Sequence, residues 1–354
     1  MLNGKGGNSM PRGTYEAEVV VETANLTEDE WLEYRRGGIG GSDVSIIFGV
    51  SHFRSNRELY YDKLGIKPIR EMEDETWLQK KMGHVLEDLV AEVFSKKTGL
   101  KVFEVKKMFS HPLHPFMRAD VDRFVIDEEG RRGILECKTT NYQNKDAWAG
   151  EKYPYQYELQ IRHYMAVMNL DFAYIACLWG NSENDFAYRK VERDYDFEDE
   201  IIDAEQYFWE EYIEKRVEPE FIGKPDLALQ CLKIYLEDAD PTLGKKTLPA
   251  SFGADLTRYM ELKEEKSKLD ADKKRVDDEM KRISALIMDE MGAFCESELS
   301  LPGKKFLVTF KPQKSERILA KELEKLAIHH KDIYDEYVTK SESRKFSIKE
   351  LKTA

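Results

Sequence analysis

The sequence predicts a mixed α/β fold: a central sheet flanked by helices, then a long C-terminal helix and a small α+β extension. Three observations carry this. Between residues 75 and 178 the apolar pattern runs in order from helix to three strands, to helix, to strand. Beyond residue 254 the pattern becomes long, charged and helical, then alternates as a strand. With 354 residues, 41% of them hydrophobic, the chain has material for two or three cores of ordinary size, at about 150 residues per domain.

Residues 1–13 are Gly-rich and polar and read as a flexible N-terminus. Residues 15–23 (YEAEVVVET) alternate as a strand. Thr27 stands three before Glu30, a capping box for a helix that runs to Arg36 with Trp31, Leu32 and Tyr34 on its apolar side. The run GGIGG at 37–41 breaks that helix, and Ser42 and Asp43 stand at the start of a short helix over 44–48. A long helix is expected over 75–98, ending at Thr98-Gly99, with Leu86, Leu89, Val90 and Val93 as its buried stripe. Strands follow at 101–106, 117–126 and 133–139, the last two joined by the turn Asp127-Glu128-Glu129-Gly130. Residues 155–168 are helical by period, 172–178 form a buried strand, and 201–217 an acidic, aromatic helix.

The expected division is a core over 14–225, a connector over 226–253, a long charged helix within 254–300 and a basic α/β tail over 301–354. In the charged helix Leu262, Leu269, Val276 and Ile283 recur every seven residues. The companion column, Lys266, Lys273, Met280 and Ile287, is apolar only in its second half. That pattern predicts a helix lying on its own domain or pairing over a short stretch, since a full coiled coil needs both columns.

Composition removes several classes. Seventeen Phe, 18 Tyr and 5 Trp need a core, which excludes a wholly disordered chain. No apolar run approaches the ~18 residues of a membrane span, and no apolar-centred leader opens the chain. Cys137, Cys177, Cys231 and Cys295 are far apart with no CxxC pair, which argues against a zinc ribbon, an iron–sulfur site or a disulfide framework, and for a reducing, cytoplasmic compartment. The net charge of −13 argues against a protein that coats nucleic acid. Residues 301–354 nevertheless carry +5 and the rest −18, so charge is segregated and a local basic surface can still meet phosphate.

The constellation that carries chemistry is Asp122, Glu136 and Lys138. Asp122 lies seven residues before Glu129, near the turn's centre, and Glu136 seven after. A symmetric hairpin register places the two acids opposite one another, with Cβ atoms roughly 5 Å apart. Carboxylates that close repel unless a proton or cation lies between them. Lys138 falls on the same face as Glu136, whereas Cys137 points the other way and offers its backbone carbonyl. Two carboxylates, a carbonyl and water make an all-oxygen site suited to Mg²⁺ or Mn²⁺. Such a cation polarises a phosphoryl oxygen, and Lys138 would orient or activate the attacking water or stabilise developing charge. An Asp and a Glu-x-Lys also recur as solvated surface charge in a chain that is 35% charged. The buried-strand runs Phe124-Val125-Ile126 and Gly133-Ile134-Leu135 favour the site over that reading.

Supporting residues are less distinctive. Glu87 flanks the apolar stripe of its helix and is either a third carboxylate or a boundary residue. Gln160 and Tyr164 share a helix face, as a phosphate or water clamp or as an ordinary polar face. Arg35 and Ser42 bracket a Gly-rich turn that reads as an anion site. Trp148 and Tyr153 are candidates either for stacking on a base or for packing. His111 and His114 read as parts of a Pro-bounded loop.

Five segments in order, RRGGIGGSDVSIIFG (35–49), MGHVLEDLVAEVF (82–94), RADVDRFV (118–125), GILECKT (133–139) and YELQIRHYMAVM (157–168), resemble the YqaJ-type viral recombinase nucleases. These are relatives of lambda exonuclease in the PD-(D/E)xK superfamily, and the likeness spans about residues 25–225. The C-terminal part resembles that of longer phage members, down to the tail SESRKF (341–346). The resemblance implies a restriction-endonuclease-like core and metal-dependent hydrolysis of DNA. By position, Asp122, Glu136 and the Cys137 carbonyl would bind Mg²⁺ or Mn²⁺, with Glu87 assisting. Lys138 would serve the attacking water, Gln160 would contact the scissile region, and Arg35 and Ser42 would hold the 5′-phosphate. Asp120 departs from the pattern, because a small polar or neutral residue is more usual there.

The expected activity is 5′→3′ resection of double-stranded DNA ends for single-strand-annealing recombination. An annealing protein as partner and a homo-oligomer, in some members a ring around DNA, are implied by the resemblance. The alternatives are an endonuclease of repair or defence, and a non-catalytic adaptor on a nuclease fold.

Overall fold

The computed structural model describes residues 15–70, 76–315 and 318–338. The expectations for 1–13, for Glu75 and for the tail at 341–346 fall outside them. The chain divides into two compact units, 1–237 and 238–354.

The first unit opens with β1 (Glu18–Glu22) and α1 (Glu28–Arg36). The Thr27 hydroxyl accepts the Glu30 N–H while the Glu30 carboxylate accepts the Thr27 N–H, so the expected capping box is formed. β2 (Ile39–Gly40) leads straight into α2 (Gly41–Ile47), and α3 (Asn56–Lys63) follows behind a Ser55–Glu58 box. α4 (Trp77–Thr98) ends on Gly99 at φ +74°, the left-handed position that glycine tolerates. Its buried residues are Val90, Ala91 and Phe94, while Leu89 is exposed, because the face of α4 turned to the sheet is the one carrying 90, 91 and 94, rotated from the expected stripe.

Two expected strands are corrected here. The run 101–106 is β3 (Lys101–Phe103) alone, and β4 (Lys107–Ser110) begins after it. The run 117–126 is two strands, β5 (Met117–Asp120) and β6 (Arg123–Ile126), broken at Val121-Asp122. The chain changes sheets at that break: β5 belongs to a four-stranded sheet ordered β1-β4-β5-β2. β6 belongs to a five-stranded sheet with β7 (Arg132–Thr139), β8 (Phe172–Leu178) and β9 (Phe186–Glu192), ordered β3-β6-β7-β8-β9. β7 and β8 run parallel, joined through α5 (Tyr155–Met168), and the other neighbours are antiparallel.

Helices cover both faces of the five-stranded sheet. Phe124, Ile134, Ala173 and Ile175 pack toward Ile161 and Met165 of α5. Val125, Leu135, Phe172 and Ala176 pack toward Val90 and Phe94 of α4. Gly133 permits the close approach of Phe172, since a Cβ there would lie 2.2 Å from its ring. The acidic aromatic helix starts earlier than expected, as α6 (Tyr195–Phe208), and continues as a π-helical turn over Trp209–Glu214. Buried His163 of α5 bonds Glu205 of α6 at 2.7 Å and the Arg118 carbonyl at 2.8 Å. The segment expected as a connector begins with α7 (Pro225–Tyr235), which has proline at its first turn.

The second unit contains α8 (Gly253–Met291) and a hairpin of β10 (Glu296–Leu301) and β11 (Lys304–Thr309), turned at Pro302-Gly303. α9 (Ala320–His329) and α10 (Lys331–Tyr337) follow. Leu269, Val276, Met280 and Ile283 of α8 are exposed. Among the described residues no helix is long and apolar enough to cross a membrane.

A buried ionic cluster ties α1, α2 and α3 together. Asp43 accepts from Arg35 Nη2 at 2.8 Å, from Lys63 Nζ at 2.7 Å and from the Gly40 N–H at 3.0 Å. Despite burial, the two cations hold the Asp43 carboxyl well below the usual carboxylate range. Removing one member of such a cluster strands the others. Asp43→Asn should therefore cost about 3–5 kcal/mol at pH 7, measured by urea unfolding. A depressed folded-state pKa stabilises above the unfolded value near 3.9 and stops doing so as pH falls through the folded value. The gap between wild type and variant should accordingly narrow in acid; a constant gap would contradict the ionic role.

Candidate active site

Pairing of β6 with β7 sets Arg123 opposite Leu135, so its continuation sets Asp122 opposite Glu136, the register the sequence predicts. Asp122 is not itself in a strand. It sits at the break between the two sheets, where its Oδ2 accepts the Cys137 N–H at 2.8 Å. That bond fixes one carboxylate oxygen at the last backbone position before the β6 ladder.

Glu136 is 1% exposed, in mid-β7 on the α5 face. Its Oε1 accepts from Lys138 Nζ at 2.5 Å and from Gln160 Nε2 at 2.6 Å. Its Oε2 is buried with no hydrogen-bond partner. Burial, then repulsion from Asp122, pushes the Glu136 carboxyl up to about 8. Asp122 is raised too, chiefly by burial. Lys138 is held firmly as an ammonium by the two acids, against the pull of its own burial. A lysine so held is suited to orienting water and stabilising charge rather than to taking a proton.

Gln160 completes this face from α5. Its Oε1 accepts from Lys138 at 3.2 Å and its Nε2 lies 3.2 Å from the Tyr164 hydroxyl. Tyr164 is buried, so it braces Gln160.

Glu87 arrives from the opposite face of the sheet. It accepts from Arg123 Nη1 at 2.5 Å, and Arg123 also binds Asp88 and the Asp122 carbonyl. Burial and the charge of Asp122 raise the Glu87 carboxyl to about 7, which places it within the field of the acid pair. Sequence reasoning missed Arg123. The period of two, counted from Asp122, puts it on the α4 face beside Glu87, and that was the available signal.

Among the described residues, no three His, Cys, Asp or Glu side chains converge as a cation cage. Two carboxylates and a backbone carbonyl are nonetheless the donor types a hard cation takes. A divalent ion would relieve both the orphaned Glu136 Oε2 and the mutual repulsion of Asp122, Glu136 and Glu87.

The Gly-rich turn adjoins this face: a Cβ at Gly41 would lie 2.7 Å from the Tyr164 ring and 2.9 Å from Gln160. Arg35 Nη2 donates to Ser42 Oγ at 2.7 Å as well as to Asp43, and its guanidinium lies 5.7 Å from the Trp31 ring centroid. The Trp31 indole N–H donates to Asp120 Oδ2 at 2.6 Å. Trp148, a candidate for stacking on a base or for packing, is buried and stacked on Tyr157, because the 3-10 turn Tyr142–Trp148 folds it inward, which removes it from the DNA-contacting candidates. His111 and His114 lie in a loop, where the His111 ring accepts the N–H groups of Leu113 and His114 at 3.1 Å.

Comparison with known proteins gives the chain's relatives. It is 22% identical to an alkaline exonuclease, LHK-Exo, from Laribacter hongkongensis, with 53% of this chain and 93% of that chain covered and a TM-score of 0.44. It is 15% identical to a phage-related exonuclease from Haemophilus somnus 129PT, with 51% and 96% covered and a TM-score of 0.35. The uncharacterized protein YqaJ of Bacillus subtilis (strain 168) is 33% identical over 339 residues, covering 95% of this chain and 98% of the relative. Residues 30–171, which include Arg35, Glu87, Asp122, Glu136, Lys138 and Gln160, match the YqaJ-like viral recombinase domain. The chain belongs to the YqaJ-like viral recombinase family.

Proposed function

We propose that the protein is a Mg²⁺-dependent deoxyribonuclease that resects double-stranded DNA ends 5′→3′ for single-strand-annealing recombination. Glu136 carries the reading: it is buried against a second acid, with one oxygen unpartnered and a lysine and an amide on the other. Such an arrangement costs stability unless a cation or proton balances it. The family, described by viral recombination, supports DNA as substrate. Asp122, Glu136 and the Cys137 carbonyl would hold Mg²⁺ or Mn²⁺, with Glu87 at its margin. The cation supplies polarisation of a phosphoryl oxygen and lowers the pKa of a water it binds. Lys138 would orient the attacking water and stabilise charge developing on the phosphate, and Gln160 would hold Lys138 and Glu136 in register. Arg35 and Ser42 would meet the 5′-terminal phosphate. An annealing protein and a homo-oligomer that encloses DNA belong to the same proposal, as does action in the cytoplasm.

Digestion of end-labelled linear duplex and of covalently closed circles, with Mg²⁺ or with chelator, tests the core of the proposal. Loss of label from linear DNA only, and only with the cation, is the expected result. Cutting of the circle would instead identify an endonuclease. In the same assay Glu136→Ala should lose at least about 10³-fold in rate while gel-shift affinity for DNA survives. Cleavage by that variant at the wild-type rate would remove the assignment.

Cation binding has its own readout. Millimolar Mn²⁺ should raise the Tm of wild type by mass action, whereas Asp122→Asn should show little rise. Equal shifts in both would place the ion elsewhere. Arg35→Ala should narrow the rate ratio between 5′-phosphorylated and 5′-hydroxyl ends; an unchanged ratio would dissociate that turn from end recognition.

A further inference from the structure

We propose that Tyr157 is a positioning residue for Lys138 and that Trp148 holds it there, an inference that rests on the nuclease reading above. Lys138 Nζ lies 4.8 Å from the centroid of the Tyr157 ring. On the site side, Glu136 Oε1 and Gln160 Oε1 receive the ammonium at 2.5 and 3.2 Å. An ammonium has three donors, so two directions are fixed by oxygen and a further side is bounded by an aromatic face. A ring face attracts a cation through its quadrupole, more strongly where water is excluded, and Lys138 is largely buried. It can therefore hold the ammonium while leaving the third N–H for the attacking water or the phosphate.

The ring is itself held. Tyr157 stacks on Trp148 at 5.9 Å with the planes 29° apart, and Trp148 is 3% exposed. The Trp148 carbonyl accepts from Arg189 Nη2 at 2.9 Å, and Arg189 lies in β9. A continuous set of contacts thus runs from β9 through Trp148 and Tyr157 to the catalytic ammonium. This explains why the loop after β7 folds its tryptophan inward: it supports the lysine from behind while α5 supplies Gln160 from beside it. It is the ring that makes the contact, so phenylalanine should substitute and an aliphatic side chain should not.

The test is steady-state and single-turnover cleavage of end-labelled duplex by full-length variants, each checked for folding by circular dichroism. Tyr157→Leu should lower kcat about 10-fold, with KM for DNA unchanged. Tyr157→Phe should stay within about 2-fold of wild type, and Trp148→Ala should resemble Tyr157→Leu. In a Lys138→Ala background, Tyr157→Leu should add no further loss, because its effect passes through the lysine. Should Tyr157→Leu not fold, Tyr157→Met carries the same expectation. Wild-type kcat in Tyr157→Leu, equal damage in Tyr157→Phe, or an undiminished extra loss on top of Lys138→Ala would each overturn the inference alone. Wild-type cleavage by Lys138→Ala would overturn the nuclease role of Lys138, and the inference with it.

Discussion

The structure turns on one electrostatic constraint: the pairing of β6 with β7 forces Asp122 and Glu136 together where the sheet is already closed by α5. Hydrogen-bonded backbone sets that proximity, and side-chain rotation relieves little of it. Taking a carboxylate out of water costs several kcal/mol, and a second acid opposite adds to it. The fold balances part of that with Lys138 and Gln160 on one oxygen of Glu136 and leaves the other oxygen bare. Destabilisation of this kind, built into the most regular part of the molecule, has the logic of a site in which stability is traded for chemistry.

Topology explains which residues contribute. Period two along β7 sends Glu136 and Lys138 toward α5 and Cys137 toward α4, so Gln160 of α5 meets the first two directly. Glu87 belongs to α4 on the other face; it binds Arg123, the neighbour of Asp122, and feels the charge of Asp122 directly. The break at Val121-Asp122 makes this junction: it moves the chain from one sheet to the other and leaves Asp122 free of the ladder, with its carboxylate turned onto the Cys137 N–H. A continuous strand over 117–126 would have carried Asp122 in regular pairing.

Much of this was legible in the chain. The capping box at Thr27, the helix 155–168 and the strand 172–178 follow from local pattern, and the Asp122–Glu136 register follows from counting out from a turn. What stayed hidden depended on tertiary context. The sheet change at Asp122 leaves no signature, since both halves of 117–126 favour strand. Leu89 fits the apolar period, yet the face of α4 that meets the sheet is the one carrying Val90, Ala91 and Phe94. Trp148 carries no sequence mark that distinguishes a buried brace from an exposed stacking platform. Its role depends on Tyr157, nine residues later and on another element.

The Gly-rich turn shows the same dependence in charge. Read alone, Arg35 and Ser42 beside backbone N–H groups look like a bare anion site. In the fold Arg35 is committed to Ser42 and Asp43, Asp43 is shared with Lys63, and Asp120 is committed to the indole of Trp31. Arg118 packs against Gly37 and Gly38 of the same turn with its Nε buried and unpartnered, so three cations and two acids sit together. Any phosphate meeting this turn would have to compete with Asp43 for Arg35 rather than find it waiting. The Lys63–Asp43 pair that holds this arrangement is formed across two helices and is invisible in the motif itself.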